Sequence, residues 1–282
     1  MEETGTLYIV ATPIGNLGDI TLRAVETLKA VDVIAAEDTR HTAKLLSHLD
    51  IHKEVVSFHE HSSEREAGRL LEMLRAGRSM ALVADAGMPM ISDPGYVLVR
   101  GAIDSVIPVT VLPGPSAAAA AVAVSGIDCR RFIFAGFLPA KSVQRRRELV
   151  QLAAGDMPIV MYESPNRVVD LLADICSVVA PDTPVSIARE LTKIHEEVLR
   201  GRCDEVLAAL RSRGILKGEF VGIADAHRNV REMEDDELRE ALAGFMAEGM
   251  SRKAAVDFAA SLYGVPKKRV YKISLDMGAR ES

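Results

Sequence analysis

Short apolar runs recur through the first 225 residues and alternate with stretches whose apolar positions fall at helical spacing. Leu7 to Thr12, Val33 to Glu37, Glu54 to Phe58, Ser79 to Asp85 and Pro108 to Leu112 read as strands. Between them lie amphipathic segments: one to Lys29, one to about Leu49, one from Ser62 to Arg75 and one from Gly95 to Ser105. Near-continuous apolar strands separated by helices are the signature of βαβ units, whose parallel sheet is covered on both faces. Residues 1–114 are therefore expected to form one open-sheet α/β domain of five strands.

Leu112-Pro113-Gly114-Pro115-Ser116-Ala117 breaks the rhythm and feeds an alanine-rich helix, with Ser116 a suitable cap. A second series of strands follows at 132–137, 158–163, 184–190, 196–201 and 219–225. The third and fourth of these lie too close for a helical crossover, so they predict an antiparallel pair and a mixed α/β domain over residues 115–228. Beyond Arg228 the strand signal stops. Three helical patterns, Asp235 to Glu248, Ser251 to Leu262 and Pro266 to about Leu275, predict a small helical module over residues 229–282. Its last two helices, joined by a short glycine-containing turn, resemble a helix-turn-helix, although a bundle that only caps a domain would look similar. The fold class expected is α/β: two α/β domains followed by a small helical module.

Composition sharpens this picture. Apolar residues make up 48% of 282, with no Trp, so two cores built from aliphatic side chains are feasible. The three cysteines form no CxxC pair, which argues against a zinc knuckle or a disulfide framework. The N-terminal segment is acidic and its apolar run is short, so a soluble, cytoplasmic protein without a membrane span is expected. Net charge is −6, but residues 251–282 carry seven basic and three acidic side chains, a locally basic tail hidden by an acidic average.

Neither GxGxxG nor GxxxxGK[ST] is present, which removes the dinucleotide and P-loop readings. Four glycine- or proline-rich turns do sit at strand ends, where open α/β sheets place ligands: 12–19, 85–95, 112–117 and 162–167. His59 and His61 share a strand face with no third ligand in sequence, so no metal site is expected.

These turns carry a resemblance. ATPIGNLGDIT (11–21), AAEDTR (35–40), SFHEH (57–61), DAGMPMISDPG (85–95), LPGPSA (112–117), YESPNR (162–167) and ARELTKIHEEVLRG (188–201) resemble the tetrapyrrole methylase superfamily of S-adenosylmethionine-dependent methyltransferases. Within it, they resemble the branch that 2′-O-methylates a cytidine of 16S ribosomal RNA. Met88 and Asn166 stand where that pattern has Thr and His.

The resemblance implies a cofactor cleft between two α/β domains and a homodimer. Carried over by motif, the cofactor residues are Pro13, Asp85, Gly87, Ile91, Ser92, Ser116, Ala117, Tyr162 and His227. Acid–base candidates are Glu37, Arg40, Glu60 and Glu163, each of which reads equally as an ion pair or helix cap. Contacts to RNA are expected from Arg167, Arg189, Arg145, Arg146, Lys267, Lys268 and Arg269. Two other functions fit parts of the pattern: a methyltransferase for a small tetrapyrrole-like molecule, and a non-catalytic RNA-binding factor of the ribosome.

Overall fold

The computed structural model describes residues 4–59, 62, 64–226, 233–247 and 249–278. The chain divides into two compact units, Met1–Ala120 with Glu190–Glu196, and Ala121–Arg189 with Glu197–Ser282.

The first unit runs β1 (Leu7–Val10), α1 (Leu22–Ala30), β2 (Val33–Ala36), α2 (Thr39–His48), β3 (Glu54–Ser57), α3 (Glu64–Arg75), β4 (Met80–Val83), α4 (Tyr96–Asp104) and β5 (Val109–Leu112), then enters α5 (Ala117–Ser125). All five strands are parallel, in the order β3-β2-β4-β1-β5. β2 and β4 are buried at every position, as their uninterrupted VIAA and MALV require, while the edge strand β3 keeps Glu54 and Ser57 exposed. Side-chain caps define where helices begin: the Thr21 hydroxyl accepts from Ala24 N at 3.1 Å, and the Asp38 carboxylate accepts from Arg40 N at 2.8 Å.

The two faces of this sheet are covered by different helices. Ala24 and Leu28 of α1 and Leu46 of α2 pack with Val10 and Ile34. Leu70 and Leu74 of α3 and Leu98 of α4 pack with Leu7 and Leu82. Truncating a fully buried leucine such as Leu28 or Leu98 to alanine should cost about 2–5 kcal/mol. The neighbours β1 and β4 thus send their following helices to opposite faces. That divergence makes their carboxyl ends the switch point, the place at which open sheets bind ligands.

The second unit continues with β6 (Ile133–Phe137), α6 (Ser142–Ala153), β7 (Ile159–Glu163), α7 (Val168–Val178), β8 (Pro184–Arg189), β9 (Glu197–Arg202), α8 (Cys203–Arg211) and β10 (Phe220–Ala224). Its order is β6-β7-β10-β8-β9, with β6 and β7 parallel and every other pairing antiparallel. The expected β8–β9 pair is present, in register from Pro184 opposite Arg202 to Arg189 opposite Glu197. The last strand, β10, inserts between β7 and β8, a placement that strand spacing could not give.

Three helices close the chain: α9 (Asp235–Ala247), α10 (Arg252–Leu262) and α11 (Lys267–Gly278). Leu238, Leu242, Phe245, Val256, Ala259 and Val270 form their core, and Val150 of α6 and Val178 of α7 pack against it. The helices read from sequence as a separate module therefore cluster with the second unit. Among the described residues no helix is long and apolar enough to cross a membrane.

Candidate active site

In the first unit the carboxyl ends of the parallel strands lie along one edge of the sheet, and the turns leaving them are tied to each other. Thr12 N donates to Gly87 O at 2.9 Å, and Gly87 N returns a bond to Thr12 O at 3.0 Å, so the turns after β1 and β4 are zipped by a single bridge. The Thr12 hydroxyl donates to Ala84 O at 3.1 Å. Asp38 N, at the end of β2, donates to Asp85 Oδ1 at 3.0 Å. Gly87 adopts φ +83°, a left-handed conformation that favours glycine, although a Cβ there would find ordinary space beside Ile14. Met90 and Ser92, at φ +72° and +68°, hold left-handed conformations that side chains disfavour by about 1–3 kcal/mol each.

A segment from far along the chain completes this edge. Thr192 Oγ1 accepts from Asn16 N at 3.1 Å, and Leu191 to Lys193 pack so closely on Gly15 that a Cβ there would sit 2.4 Å from Lys193 Cγ. Sequence reasoning took residues 188–201 for part of a motif but gave Thr192 no role in holding the first turn.

The electrostatics of this edge are those of crowded acids. Asp93 is half-buried, and its carboxyl is pushed up to about 7 by loss of solvent, then by the negative charges of Glu37 and Asp85. Asp93 was missed as a site residue; its position in the strained 85–95 turn, eight residues after Asp85, was the available signal. Asp38 behaves oppositely: Arg40 hydrogen-bonds its carboxylate and holds it down at about 2. Arg40 is exposed and bonded to Asp38 through Nε at 3.2 Å and Nη2 at 2.9 Å, so this pair is a helix cap with a surface ion pair.

Of the remaining residues expected here, Pro13 is buried, Ile91 and Ser92 are exposed, and Ser116 and Ala117 are half-buried at the start of α5. Glu60 and His227 lie outside the described residues. Among the described residues no group of three His, Cys, Asp or Glu is placed to hold a metal ion.

The second unit uses its charged residues differently. Glu163 is buried and accepts from Ser164 N at 2.8 Å, while Arg167 Nη2 stands 3.1 Å from Glu163 Oε2 and donates to Leu138 O at 2.6 Å. The 3.1 Å contact is an ion pair without hydrogen-bond alignment, and Glu163 Oε2 and Arg167 Nε have no hydrogen-bond partner. Asp174 collects Arg145 Nε at 2.7 Å, Arg146 Nε at 2.6 Å and the Ser142 hydroxyl at 3.0 Å. Arg145 is 3% exposed. Its expected place on an RNA-facing surface is thereby corrected, because its guanidinium bonds inward to Asp174 and Ala140 O. Arg146 is mostly covered, lying over the Phe245 ring, and among these arginines Arg147 is the exposed one. Arg189 donates to Lys217 O at 2.7 Å. Tyr162 is half-buried, with its ring edge-on to Phe134 and Phe137 at 5.1 and 5.6 Å.

A parallel sheet whose carboxyl-end turns are rich in glycine, backbone groups and crowded acids has the form of an α/β ligand-binding domain. The sequence pattern of the Tetrapyrrole (Corrin/Porphyrin) Methylases matches residues 6–207. The chain belongs to that family. Two relatives named Ribosomal RNA small subunit methyltransferase I match almost end to end. The one from Halalkalibacterium halodurans is 46% identical over 96% of this chain and 95% of its own. The one from Escherichia coli O157:H7 is 44% identical, with the same coverage of each chain. A crystal structure of uroporphyrin-III C-methyl transferase from Thermus thermophilus, complexed with S-adenyl homocysteine, superposes with a TM-score of 0.56. It is 19% identical and covers 79% of this chain and 98% of its own, a likeness in fold alone.

Proposed function

We propose that this chain transfers a methyl group from S-adenosylmethionine to the 2′-hydroxyl of a cytidine ribose in 16S ribosomal RNA of the small subunit. The observation that carries this reading is the near full-length match to relatives named for methylation of that RNA.

The first unit fits the cofactor on chemical grounds. S-adenosylmethionine, when bound, supplies an activated methyl group on a sulfonium of fixed positive charge. Burial drives Asp93 toward protonation and the negative charges of Glu37 and Asp85 add to it, a repulsion that a nearby fixed cation relieves. Pro13, Asp85, Gly87, Ile91, Ser92, Ser116 and Ala117 of the first unit would hold the cofactor. Gly87 and the small residues around it let backbone groups approach closely. Asp85 would both bind and be oriented by Asp38 N.

Methyl transfer to a hydroxyl is an in-line displacement, so the protein's main contribution is alignment of the attacking oxygen. Asp93, raised to about 7, titrates near neutrality, where a base for a weakly acidic hydroxyl works best. Glu37 tunes it by charge. Arg40 reaches solvent and is suited to grip phosphate. Glu163, sealed against Arg167, positions that arginine.

The test is direct. Purified protein is incubated with methyl-labelled cofactor and 16S ribosomal RNA, naked and assembled in small subunits, and 2′-O-methylated nucleotides are mapped by resistance to alkali. Absence of any ribose methylation in both forms overturns the reading. The same reading carries a cytoplasmic homodimer, checked by light scattering of the purified protein; a monomer at micromolar concentration removes the dimer.

A further inference from the structure

We propose that the outward face of α11, built by Lys268, Tyr271 and Lys272, docks a single-stranded segment of the substrate RNA, its lysines on phosphates and its tyrosine stacked on an unpaired base. The inference rests on the RNA reading above and deepens it.

The helix sorts its residues sharply. Val270, Ile273 and Ser274 are buried, whereas Lys268, Tyr271, Lys272 and Leu275 are exposed on the opposite face, at positions i, i+3, i+4 and i+7. Tyr271 is 53% exposed, an aromatic ring left in water between two cations. Such spacing places the two lysines about one helical turn apart, with Tyr271 between them along the helix axis and beside them around it.

The charge arrangement is unfavourable for the helix itself. Its first turn carries Lys267, Lys268 and Arg269 and no acid, although a helix N-terminus is stabilised by anions and opposed by cations. Two of these cations are compensated within the fold. Lys267 pairs with Asp257 of α10, and Arg269 pairs with Asp235 of α9 at 2.6 Å while donating to Met233 O at 2.9 Å. Among the described residues no hydrogen bond or ion pair engages Lys268 or Lys272, and Asp276 is the exposed acid on the flank of their face. The tail's basic residues thus divide into internal ties and a presented surface. A cationic helix start that weakens its own helix, next to an exposed ring, is complementary to polyanion and base together. RNA is favoured over a protein partner because phosphate supplies the missing counter-charge and a base offers the ring a flat partner.

Affinity of the full-length protein for naked 16S ribosomal RNA, measured by filter retention across a salt series, tests this. The Lys268→Ala/Lys272→Ala double variant should bind more weakly and flatten the log–log salt slope by about 1.4 on single strands. Tyr271→Ala should lose about tenfold in affinity with little change of slope, and Tyr271→Phe should retain stacking and bind as wild type. Cofactor affinity of all variants should stay at the wild-type value, and melting temperature should not fall. Wild-type RNA affinity and slope in the double variant and in Tyr271→Ala overturn the proposal. A defect confined to assembled subunits also overturns it, because the face would then meet ribosomal protein. Weakened RNA binding by the variants of a wild-type protein that methylates no ribose would support the docking face while overturning the proposed reaction.

Discussion

The two sheets of this protein handle charge in opposite ways. In the first unit, Glu37, Asp85 and Asp93 repel one another, and burial with that repulsion lifts Asp93 to about 7. In the second, Asp174 is as thoroughly neutralised as a buried acid can be, held by Arg145, Arg146 and Ser142, and Glu163 faces Arg167. Buried charge that is fully paired serves the fold, whereas buried charge left in mutual repulsion costs stability and persists where a ligand relieves it. This contrast supports the proposal that chemistry falls on the first unit's strand-end turns, while Asp174 with Arg145 and Arg146 ties the second unit's fold.

Substitutions can break that contrast, beginning with the largest effect. Asp174→Ala should destabilise the protein by about 3–5 kcal/mol, measured by denaturant unfolding, because Arg145 would be left buried without its counter-ion. Gly87→Val should weaken cofactor binding by roughly a hundredfold in calorimetry, since a β-branched side chain resists the left-handed backbone and crowds Ile14. An unchanged affinity would remove the Thr12–Gly87 bridge from the site.

The pH dependence is subtler. Asp93 is raised in the folded state, so the native protein holds its proton more tightly than the unfolded chain does. Its contribution to stability is complete below about pH 4 and is lost as pH rises through about 7. Asp93→Asn should flatten stability across that window, and a variant that keeps the wild-type profile would contradict the assignment. Cofactor charge near Asp93 should favour the carboxylate, so binding at about pH 6 should release protons, seen as buffer-dependent heats that Asp93→Asn abolishes. The smallest effect is expected at the exposed pair: Arg40→Ala should leave stability essentially unchanged while weakening RNA affinity. A clear loss of stability in denaturant unfolding would make Arg40 structural.

Much of the architecture was legible without coordinates because the signals are local. Continuous apolar runs mark strands covered on both faces, the seven-residue gap between β8 and β9 demands an antiparallel return, and glycine turns end β1, β4 and β5. The fate of individual charges was not legible. Arg145, Arg146 and Arg147 are adjacent, yet one is buried on Asp174, one lies over Phe245 and one faces water, because consecutive residues on a helix point about 100° apart. Sequence also placed Lys267, Lys268 and Arg269 together as one basic cluster, where the fold ties the outer two to Asp257 and Asp235.

By itself, then, the chain determined its elements, its α/β class and the turns at which chemistry would be sought, since periodicity and backbone-permissive residues act over a few positions. Tertiary structure alone decided that β10 lies between β7 and β8, that Thr192 returns to brace Asn16, and that Glu37, from the turn after β2, acts on Asp93 beside Asp85 in the turn after β4. These outcomes depend on contacts between residues tens to more than a hundred positions apart. Their energies arise from burial and charge proximity, which no local pattern encodes.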